Sequence, residues 1–289
     1  MSNDDTCAQA AQPEPSALSE AELAQLPQHV GDAQVEALAL TGSHARGEAT
    51  AHSDVDVLSF TLDEPTTDRE RYHLWLLDGR LVSVSTTTIA AKRAELARPE
   101  AAIWAVAGLR QARILLDRTG TLAALIAEAH AFTWTLALRH AAADHASDTL
   151  AGLAEEVHKL LGARERDDPS ALLYATLGLQ QNLTRAALVA RGVLLPTENA
   201  YFAEALRLGG PGSRWERLLR VVVGYDAPPP GATLAHMRGE AALWLYVEAA
   251  LLLADTLTAA DSALVAEAVA RIRRTLGSGP PEELRELTR

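Results

Sequence analysis

Cysteine is almost absent from this chain of 289 residues, which contains only Cys7. A single cysteine excludes a disulfide framework and a cysteine-based metal site within one chain. Long apolar runs are missing too, since no stretch of about 18 residues has the uncharged composition of a membrane span. Residues 1–15 also lack the basic and apolar regions of a secretory signal. These absences predict a cytoplasmic protein without a membrane segment.

Basic runs with interleaved aromatic residues are missing as well. The net charge is −12, but seven acidic residues precede Arg46, the first Lys or Arg, and the remainder has 31 acidic against 26 basic residues. A nucleic acid would find little long-range attraction to such a chain. The sequence therefore disfavours DNA and RNA as partners, and a cationic small molecule or a protein hydroxyl fits better. The oligomeric state stays open.

The chain is long enough for two hydrophobic cores, with 48% hydrophobic residues. Residues 1–16 are predicted to be a disordered leader, because they contain two prolines and few large apolar groups. Residues 17–120 contain strand and hairpin signals that predict a small mixed β-sheet domain. Residues 121–289 contain Ala/Leu-rich periodic stretches, the first over 122–161, that predict a helical bundle. The fold class is therefore α+β.

The most informative segment runs from residue 33 to residue 58. Alternation over 33–40 predicts a strand that ends in Thr41-Gly42, and a helix is expected to open at Ser43. Its backbone N–H groups and the positive end of its dipole suit a phosphate chain. The next strand places Asp54 and Asp56 on one face, roughly 7 Å apart. Two such carboxylates can bind one divalent metal ion, with Mg²⁺ or Mn²⁺ expected.

Seven positions in this segment resemble the signature of the DNA polymerase β-like nucleotidyltransferase superfamily: Gly42, Ser43, Arg46, Gly47, Ser53, Asp54 and Asp56. The resemblance is specific over about residues 34–60. The bacterial branch with a helical second domain, which includes the aminoglycoside nucleotidyltransferases, is similar in overall layout. The resemblance implies that 121–289 bind the acceptor.

The resemblance also implies the chemistry and the roles of individual residues. Members of the superfamily bind a nucleoside triphosphate with divalent metal, transfer its nucleoside monophosphate to an acceptor hydroxyl and release pyrophosphate. By position, Gly42 and Ser43 would hold the triphosphate and Arg46 would assist them. Asp54 and Asp56 would act as catalytic metal ligands. ATP is the expected triphosphate.

One position departs from the family pattern. Two strands over 72–77 and 80–86 are predicted to form a hairpin through Asp78-Gly79. Related enzymes carry a third carboxylate on the second of these strands, where it completes the site of the metal that activates the acceptor. Here Ser83 stands at that position, and an alignment shifted by two would select Ser85. A serine hydroxyl is a weak neutral metal ligand.

Two further carboxylates are candidates for the missing functions. Asp117 follows a predicted strand over 111–116 and could supply the third acid, although a turn-forming role is the stronger expectation. In the aminoglycoside-modifying relatives a carboxylate of the helical domain acts as general base, which makes Glu155 a candidate here. The alternative for Glu155 and its neighbour Glu156 is an exposed, solvated helix face.

Two functions are consistent with these residues. The first is a metal-dependent nucleotidyltransferase that moves a nucleoside monophosphate to a hydroxyl of a small molecule or protein. The second is a catalytically weakened relative that acts as a nucleotide sensor or partner-binding module, because Ser83 replaces the expected acid. The first is favoured, since the phosphate turn, Arg46 and both principal acids are present.

Overall fold

The computed structural model of the chain describes residues 18–30, 34–226, 233–277 and 279. Two compact units divide these residues: the first comprises 1–94 and 108–131, and the second comprises 95–107 and 132–289. The sequence placed a single boundary at residue 120, whereas this division assigns 121–131 to the first unit and 95–107 to the second. The predicted leader over 1–16, Cys7 and the Pro-rich break at 228–231 lie outside the described residues.

The first unit begins with helix α1, Glu20–Val30. Ser19 and Glu22 form a capping box at its start. The backbone N–H of Ser19 donates to Glu22 Oε2 at 2.7 Å, and the N–H of Glu22 donates to Ser19 Oγ at 3.2 Å. Leu23 and Leu26 on the buried side of α1 then pack against the sheet.

The sheet of the first unit has five strands in the order β3-β4-β2-β1-β5. Strands β2 and β4 are parallel, and the other neighbouring pairs are antiparallel. The mixed sheet and the helices that follow confirm the predicted α+β class. The strands are β1 Val35–Leu40, β2 Val55–Thr61, β3 Tyr72–Leu77, β4 Arg80–Thr87 and β5 Arg113–Asp117.

The turn Asp78-Gly79 connects β3 to β4, as predicted. Both residues have positive φ, 49° and 80°, which is the conformation that a two-residue hairpin turn requires and that Asp-Gly favours. The pairing then runs from Leu77 opposite Arg80 to Tyr72 opposite Ser85. The turn thereby fixes which residues of β3 and β4 share a face.

The two faces of the sheet differ in character. On the core face, six apolar side chains pack with α1: Leu38, Leu40, Val55, Val57, Val82 and Val84. The opposite face carries the acids and is called the acid face here. Its central row runs across three strands from Asp56 through Ser83 to Leu74. Because side chains alternate along a strand, Leu81 and Leu76 form the adjacent row on the same face.

The described residues up to 131 contain five further helices. Among them, the four-residue helix α3 has no counterpart in the sequence prediction. Helix α3 begins with a capping box between Thr67 and Glu70. The bounds are α2 Gly42–Arg46, α3 Asp68–Arg71, α4 Ile89–Glu95, α5 Pro99–Gln111 and α6 Thr121–Ala131.

The second unit is a helical bundle. Its largest helices, α9 and α12, bring Leu179, Leu183, Trp244 and Tyr246 into the core. Ile103 of α5 belongs to the same core, and its carbonyl accepts a hydrogen bond from Leu195 N at 2.7 Å. A short 3-10 helix, Glu198–Ala200, precedes α10. The helices are α7 Leu136–Gly152, α8 Ala154–Glu165, α9 Pro169–Ala190, α10 Tyr201–Arg207, α11 Arg214–Val223, α12 Leu234–Leu252 and α13 Ala259–Leu276.

The periodic stretch predicted over 122–161 is not one helix. It is broken into α6, α7 and α8. Thr135 starts α7 by accepting a hydrogen bond from Leu138 N on its side chain at 3.2 Å, which is the usual role of an N-cap threonine. The first break, over 132–135, contains no Gly or Pro, whereas Gly152 ends α7 at the second break.

Among the residues that the structure describes, no single helix combines the length and hydropathy that a membrane crossing requires. Helix α6 together with the α7–α8 region passes the length and composition test only as a bent pair.

Candidate active site

The turn between β1 and α2 lies beside the acids of β2. The backbone N–H of Thr41 donates to the carbonyl of Asp56 at 2.8 Å, which ties the end of β1 to the acid-bearing strand. Helix α2 begins directly afterwards, and the Thr41 side chain does not cap it. The first backbone N–H groups of a helix have no partner within the helix, so this turn offers donors for an anion.

Gly42 is in direct contact with the carboxylate of Asp56. A Cβ atom added at Gly42 would lie 1.9 Å from Asp56 Oδ2 and 2.8 Å from its Cγ. The residue also has a φ of +64°, in the left-handed region. Two properties of glycine are therefore needed at this position: it adopts the left-handed backbone conformation readily, and it has no side chain that would collide with Asp56. The turn between β1 and α2 is thus packed directly against the Asp56 carboxylate.

Ser83 holds the other oxygen of the same carboxylate. It lies opposite Asp56 in the parallel β2–β4 register, and its Oγ donates a hydrogen bond to Asp56 Oδ1 at 2.8 Å. Only 5% of Ser83 is exposed. The residue that stands at the expected third-acid position is therefore a buried neutral donor to the principal acid. No shift of the register to Ser85 is needed, because Ser85 pairs with Leu58.

The carboxylate of Asp56 is costly to ionise in this environment. Burial raises the pKa of Asp56, the hydrogen bond from Ser83 opposes that rise, and the nearby charge of Asp54 adds to it. Burial also lowers the pKa of His44, with the positive charge of Arg80 as the next cause. A cation bound between Asp54 and Asp56 would relieve the cost of placing two negative charges together.

Arg46 is held by two neighbouring side chains. Its Nε lies 2.7 Å from Glu48 Oε2, and its Nη1 donates to Gln111 Oε1 at 3.4 Å. The Arg46 side chain is only 15% exposed, whereas that of Glu48 is 64% exposed. Because Glu48 is largely exposed, solvent screens this ion pair and weakens it.

Ser53 shapes the loop that delivers Asp54 to the site. Its Oγ accepts a hydrogen bond from the backbone N–H of Thr50 at 2.9 Å, and its own N–H donates to the Thr50 carbonyl at 3.1 Å. These two bonds close a turn directly before Asp54. The role of Ser53 is thus to position the loop, and no contact of its side chain with a carboxylate is needed.

Asp117 does not join this group, which corrects its candidacy as a third acid. Strand β5 runs antiparallel to β1, so Arg113 lies opposite Leu40 at the site end and Asp117 lies opposite Ala37 at the other end. Its Oδ2 accepts a hydrogen bond from Ala123 N at the start of α6, at 2.9 Å. Asp117 therefore serves the turn before α6, as the alternative interpretation expected.

Glu155 lies on α8 of the second unit. Its side chain is 74% exposed and sits 3.0 Å from Lys159 Nζ, which also pairs with Glu156 at 2.7 Å. These contacts are those of a solvated helix face with i,i+3 and i,i+4 ion pairs. Among the described residues of the second unit, the contacts of Glu155 are those with Lys159, which do not give it the environment of a general base.

Asp54 and Asp56 are the pair of acids that the sequence predicts as metal ligands. Across the described ranges there is no group of three or more His, Cys, Asp or Glu side chains that could hold a metal ion. Asp54 and Asp56 nevertheless supply hard oxygen donors from one strand edge. Mg²⁺ is commonly bound by one or two carboxylates together with substrate phosphates and water. The donor set therefore fits a metal ion that arrives with a nucleotide.

The comparison with protein families gives a match at this site. Residues 23–97 match the family model described as a nucleotidyltransferase domain. This confirms the resemblance drawn from the seven positions between Gly42 and Asp56. The domain match spans β1 to β4 and ends at the start of the segment assigned to the second unit.

Among solved structures, the chain is similar to a nucleotidyltransferase-like protein from Exiguobacterium sibiricum. The two share 15% sequence identity, the alignment covers 92% of this chain and 87% of that chain, and the TM-score is 0.45. The comparison with curated proteins produced no significant match.

Sequence reasoning missed the residues that hold Arg46 in place. Gln111 lies 65 residues away at the end of α5, and no motif connects it to the nucleotidyltransferase signature. Glu48 lies within the segment, but an acid two residues after an arginine is too common to indicate a contact. The apolar side chains that continue the acid face beyond Ser83 were also not singled out.

Proposed function

We propose that the protein transfers a nucleoside monophosphate from a nucleoside triphosphate to an acceptor hydroxyl, with ATP as the donor. The observation that carries this proposal is the packing of the Asp56 carboxylate against Gly42 at the open turn of α2. The proposal is supported by the closeness of a carboxylate to backbone N–H groups that have no partner within α2. It thereby favours a phosphate-bearing ligand that arrives with a divalent cation.

Asp54 and Asp56 would hold Mg²⁺ or Mn²⁺ in this proposal. The ion, when bound, neutralises phosphate charge and polarises the bond that is broken. The amides of α2 and the side chains of Ser43 and Arg46 bind the phosphates and orient them. Ser83 and Gly42 hold the carboxylate of Asp56 from its two sides.

The reaction forms a bond between the acceptor oxygen and the α-phosphorus and breaks the bond from that phosphorus to the pyrophosphate oxygen. Pyrophosphate leaves with the electron pair, and the hydroxyl proton passes to water. The protein contributes mainly by positioning and charge, as in other phosphoryl-type transfers. We also propose that the helical unit takes part in acceptor binding, in keeping with the family resemblance.

The test is metal-dependent release of pyrophosphate and transfer of label from α-labelled ATP. Asp54→Asn and Asp56→Asn remove a metal-binding charge and should abolish both signals. Asp117→Asn is the matched control, because it removes the same charge from the far end of the sheet. The proposal fails if all three variants retain the wild-type rate, or if calorimetry detects no binding of ATP with Mn²⁺.

One observation favours the second candidate, a catalytically weakened nucleotide sensor. Ser83 is a neutral group in register with Asp56, where related enzymes carry an acid. A sensor predicts thermal stabilisation by ATP and Mn²⁺ without turnover, and Ser83→Asp should then restore transfer. Turnover by the wild-type protein at ordinary enzyme rates would exclude the sensor.

A further inference from the structure

The acid face continues past Ser83 onto exposed apolar side chains. Four of them form the apolar floor, which is defined as Tyr72, Leu74, Leu76 and Leu81. Their exposed fractions are 50%, 52%, 70% and 42%. Leu74 lies directly opposite Ser83, and Leu76 lies directly opposite Leu81. The floor is therefore contiguous with the row that contains Asp56.

An exposed apolar floor is unusual at this position in a sheet. On the core face of β3, Trp75 and Leu77 already provide the apolar side chains that pack against the hydrophobic core. A half-buried strand normally alternates apolar and polar residues, so the other face of β3 is expected to be polar. Grouped apolar side chains that remain exposed mark a binding surface more often than isolated ones do.

The floor lies where the acceptor must approach, provided that the proposed nucleotidyl transfer is correct. The phosphates of the donor are expected at the α2 turn, which follows β1. In an in-line displacement the attacking oxygen lies opposite the leaving pyrophosphate. Strand β2 carries the acids, with β1 on one side of it and β4 and then β3 on the other. An attacking oxygen opposite the pyrophosphate therefore comes from the side of β4 and β3.

We infer that the acceptor is a small, uncharged alcohol or phenol whose apolar body rests on the floor. Strand spacing of about 4.8 Å puts β3 about 10 Å from β2, which is the length of a body of one or two rings. On the acid face, β3 and β4 present only Tyr72, Leu74, Leu76 and the residues Leu81, Ser83, Ser85 and Thr87. None of these side chains carries a charge that would attract a polycation.

The acceptor hydroxyl would then lie beside Ser83 and Asp56. Its oxygen attacks the α-phosphorus, pyrophosphate leaves, and the proton passes to water, as in the reaction above. A cationic aminosugar gains no ion pair from the floor and loses hydration on apolar side chains. This assignment narrows the acceptor from any hydroxyl compound to one that is apolar and neutral, in place of the cationic small molecule or protein hydroxyl that the net charge favours.

The experiment compares naphthol and kanamycin as acceptors for α-labelled ATP and Mn²⁺. The wild-type protein is expected to label naphthol at least tenfold more efficiently in kcat/KM. Leu74→Glu and Leu76→Glu place a charge on the floor and should each lower kcat/KM for naphthol about tenfold, which corresponds to about 1.4 kcal/mol. Leu62→Glu is the matched control, because Leu62 is 64% exposed and follows the far end of β2.

The outcomes separate the acceptor assignment from the proposed activity. Calorimetry with ATP and Mn²⁺ should give the same affinity for wild type, both floor variants and the control. If ATP binds but naphthol is not labelled, or if kanamycin or casein is labelled in preference, the assignment is overturned. Equal naphthol labelling by the floor variants and the Leu62→Glu control also overturns it. Absence of ATP binding instead overturns the nucleotidyltransferase proposal. The comparison of acceptors on wild-type protein holds even if a variant fails to fold.

Discussion

Gly42→Ala is the substitution that tests the candidate site most directly. The new Cβ would start 1.9 Å from Asp56 Oδ2, and ordinary van der Waals contact begins at 3.4 Å. The carboxylate must therefore move by about 1.5 Å, unless the backbone of the turn moves instead. Either change disturbs the hydrogen bond that Asp56 Oδ1 accepts from Ser83.

The expected loss of stability has two parts. A non-glycine residue in the left-handed region costs about 1–2 kcal/mol. Displacement of a carboxylate from a hydrogen-bonded site costs about 1–3 kcal/mol more. Gly47→Ala is the matched control, because Gly47 has a φ of +72° and its added Cβ would meet no atom within 4 Å. The control isolates the backbone cost from the contact with Asp56.

The assay combines thermal unfolding with calorimetric titration of ATP and Mn²⁺. We expect Gly42→Ala to lower the melting temperature by about 6–15 °C and Gly47→Ala by about 3–6 °C. A displacement of about 1 Å at a reacting centre costs on the order of 100-fold in rate, so Gly42→Ala should also abolish most label transfer. If Gly42→Ala matches Gly47→Ala in both stability and ligand affinity, Gly42 and Asp56 do not form one site.

Four other substitutions test separate parts of the structure. Burial raises the folded-state pKa of Asp56 above its unfolded-state value. The ionised carboxylate therefore begins to destabilise the fold when the pH exceeds the unfolded-state pKa, and the full cost is reached above the folded-state pKa. Asp56→Asn should therefore raise the metal-free melting temperature at pH 7–8, with the gain vanishing as the pH falls below about 4. Ser83→Asp should lower the metal-free melting temperature and tighten Mn²⁺ binding, as measured by calorimetry; looser binding would contradict its place beside Asp56. Asp117→Asn should reduce the melting temperature but leave ATP affinity unchanged. Ser147→Ala removes a buried donor to Asp261 at 2.6 Å and should cost about 1–3 kcal/mol in denaturant unfolding; a cost near zero would contradict that bond.

The sequence was most informative where structure is local. The strand, turn, short helix and second strand between residues 35 and 61 are consecutive, so alternation and turn chemistry define them without knowledge of the rest of the fold. The Asp78-Gly79 hairpin is equally local, and its turn fixes Ser83 in register with Leu74. The family resemblance implied that Ser83 stands at the third-acid position, but no local signal predicts the parallel pairing that places it beside Asp56.

The sequence does not predict the long-range geometry of the fold. The direction of β5 relative to β1 decides that Asp117 lies at the far end of the sheet. The three apolar residues at the centre of this five-residue strand do not indicate its direction. The breaks at the ends of α6 and α7 were missed because apolar periodicity continues through them. The contact between Arg46 and Gln111 depends on how α5 packs, which tertiary structure alone determines.

The chain leaves the first unit at residue 95, contributes to the second until residue 107, and then returns. A fragment that begins at residue 132 would consequently lack Ile103. The side chain of Ile103 packs in the core of the bundle, and its carbonyl accepts a hydrogen bond from Leu195 N. A fragment that stops at residue 120 would contain the sheet without α6. It would also contain residues 95–107 without the rest of the second unit, to which they belong. Single-cut truncation should therefore yield insoluble fragments in both cases, and recombination with other proteins would have to exchange the two units together.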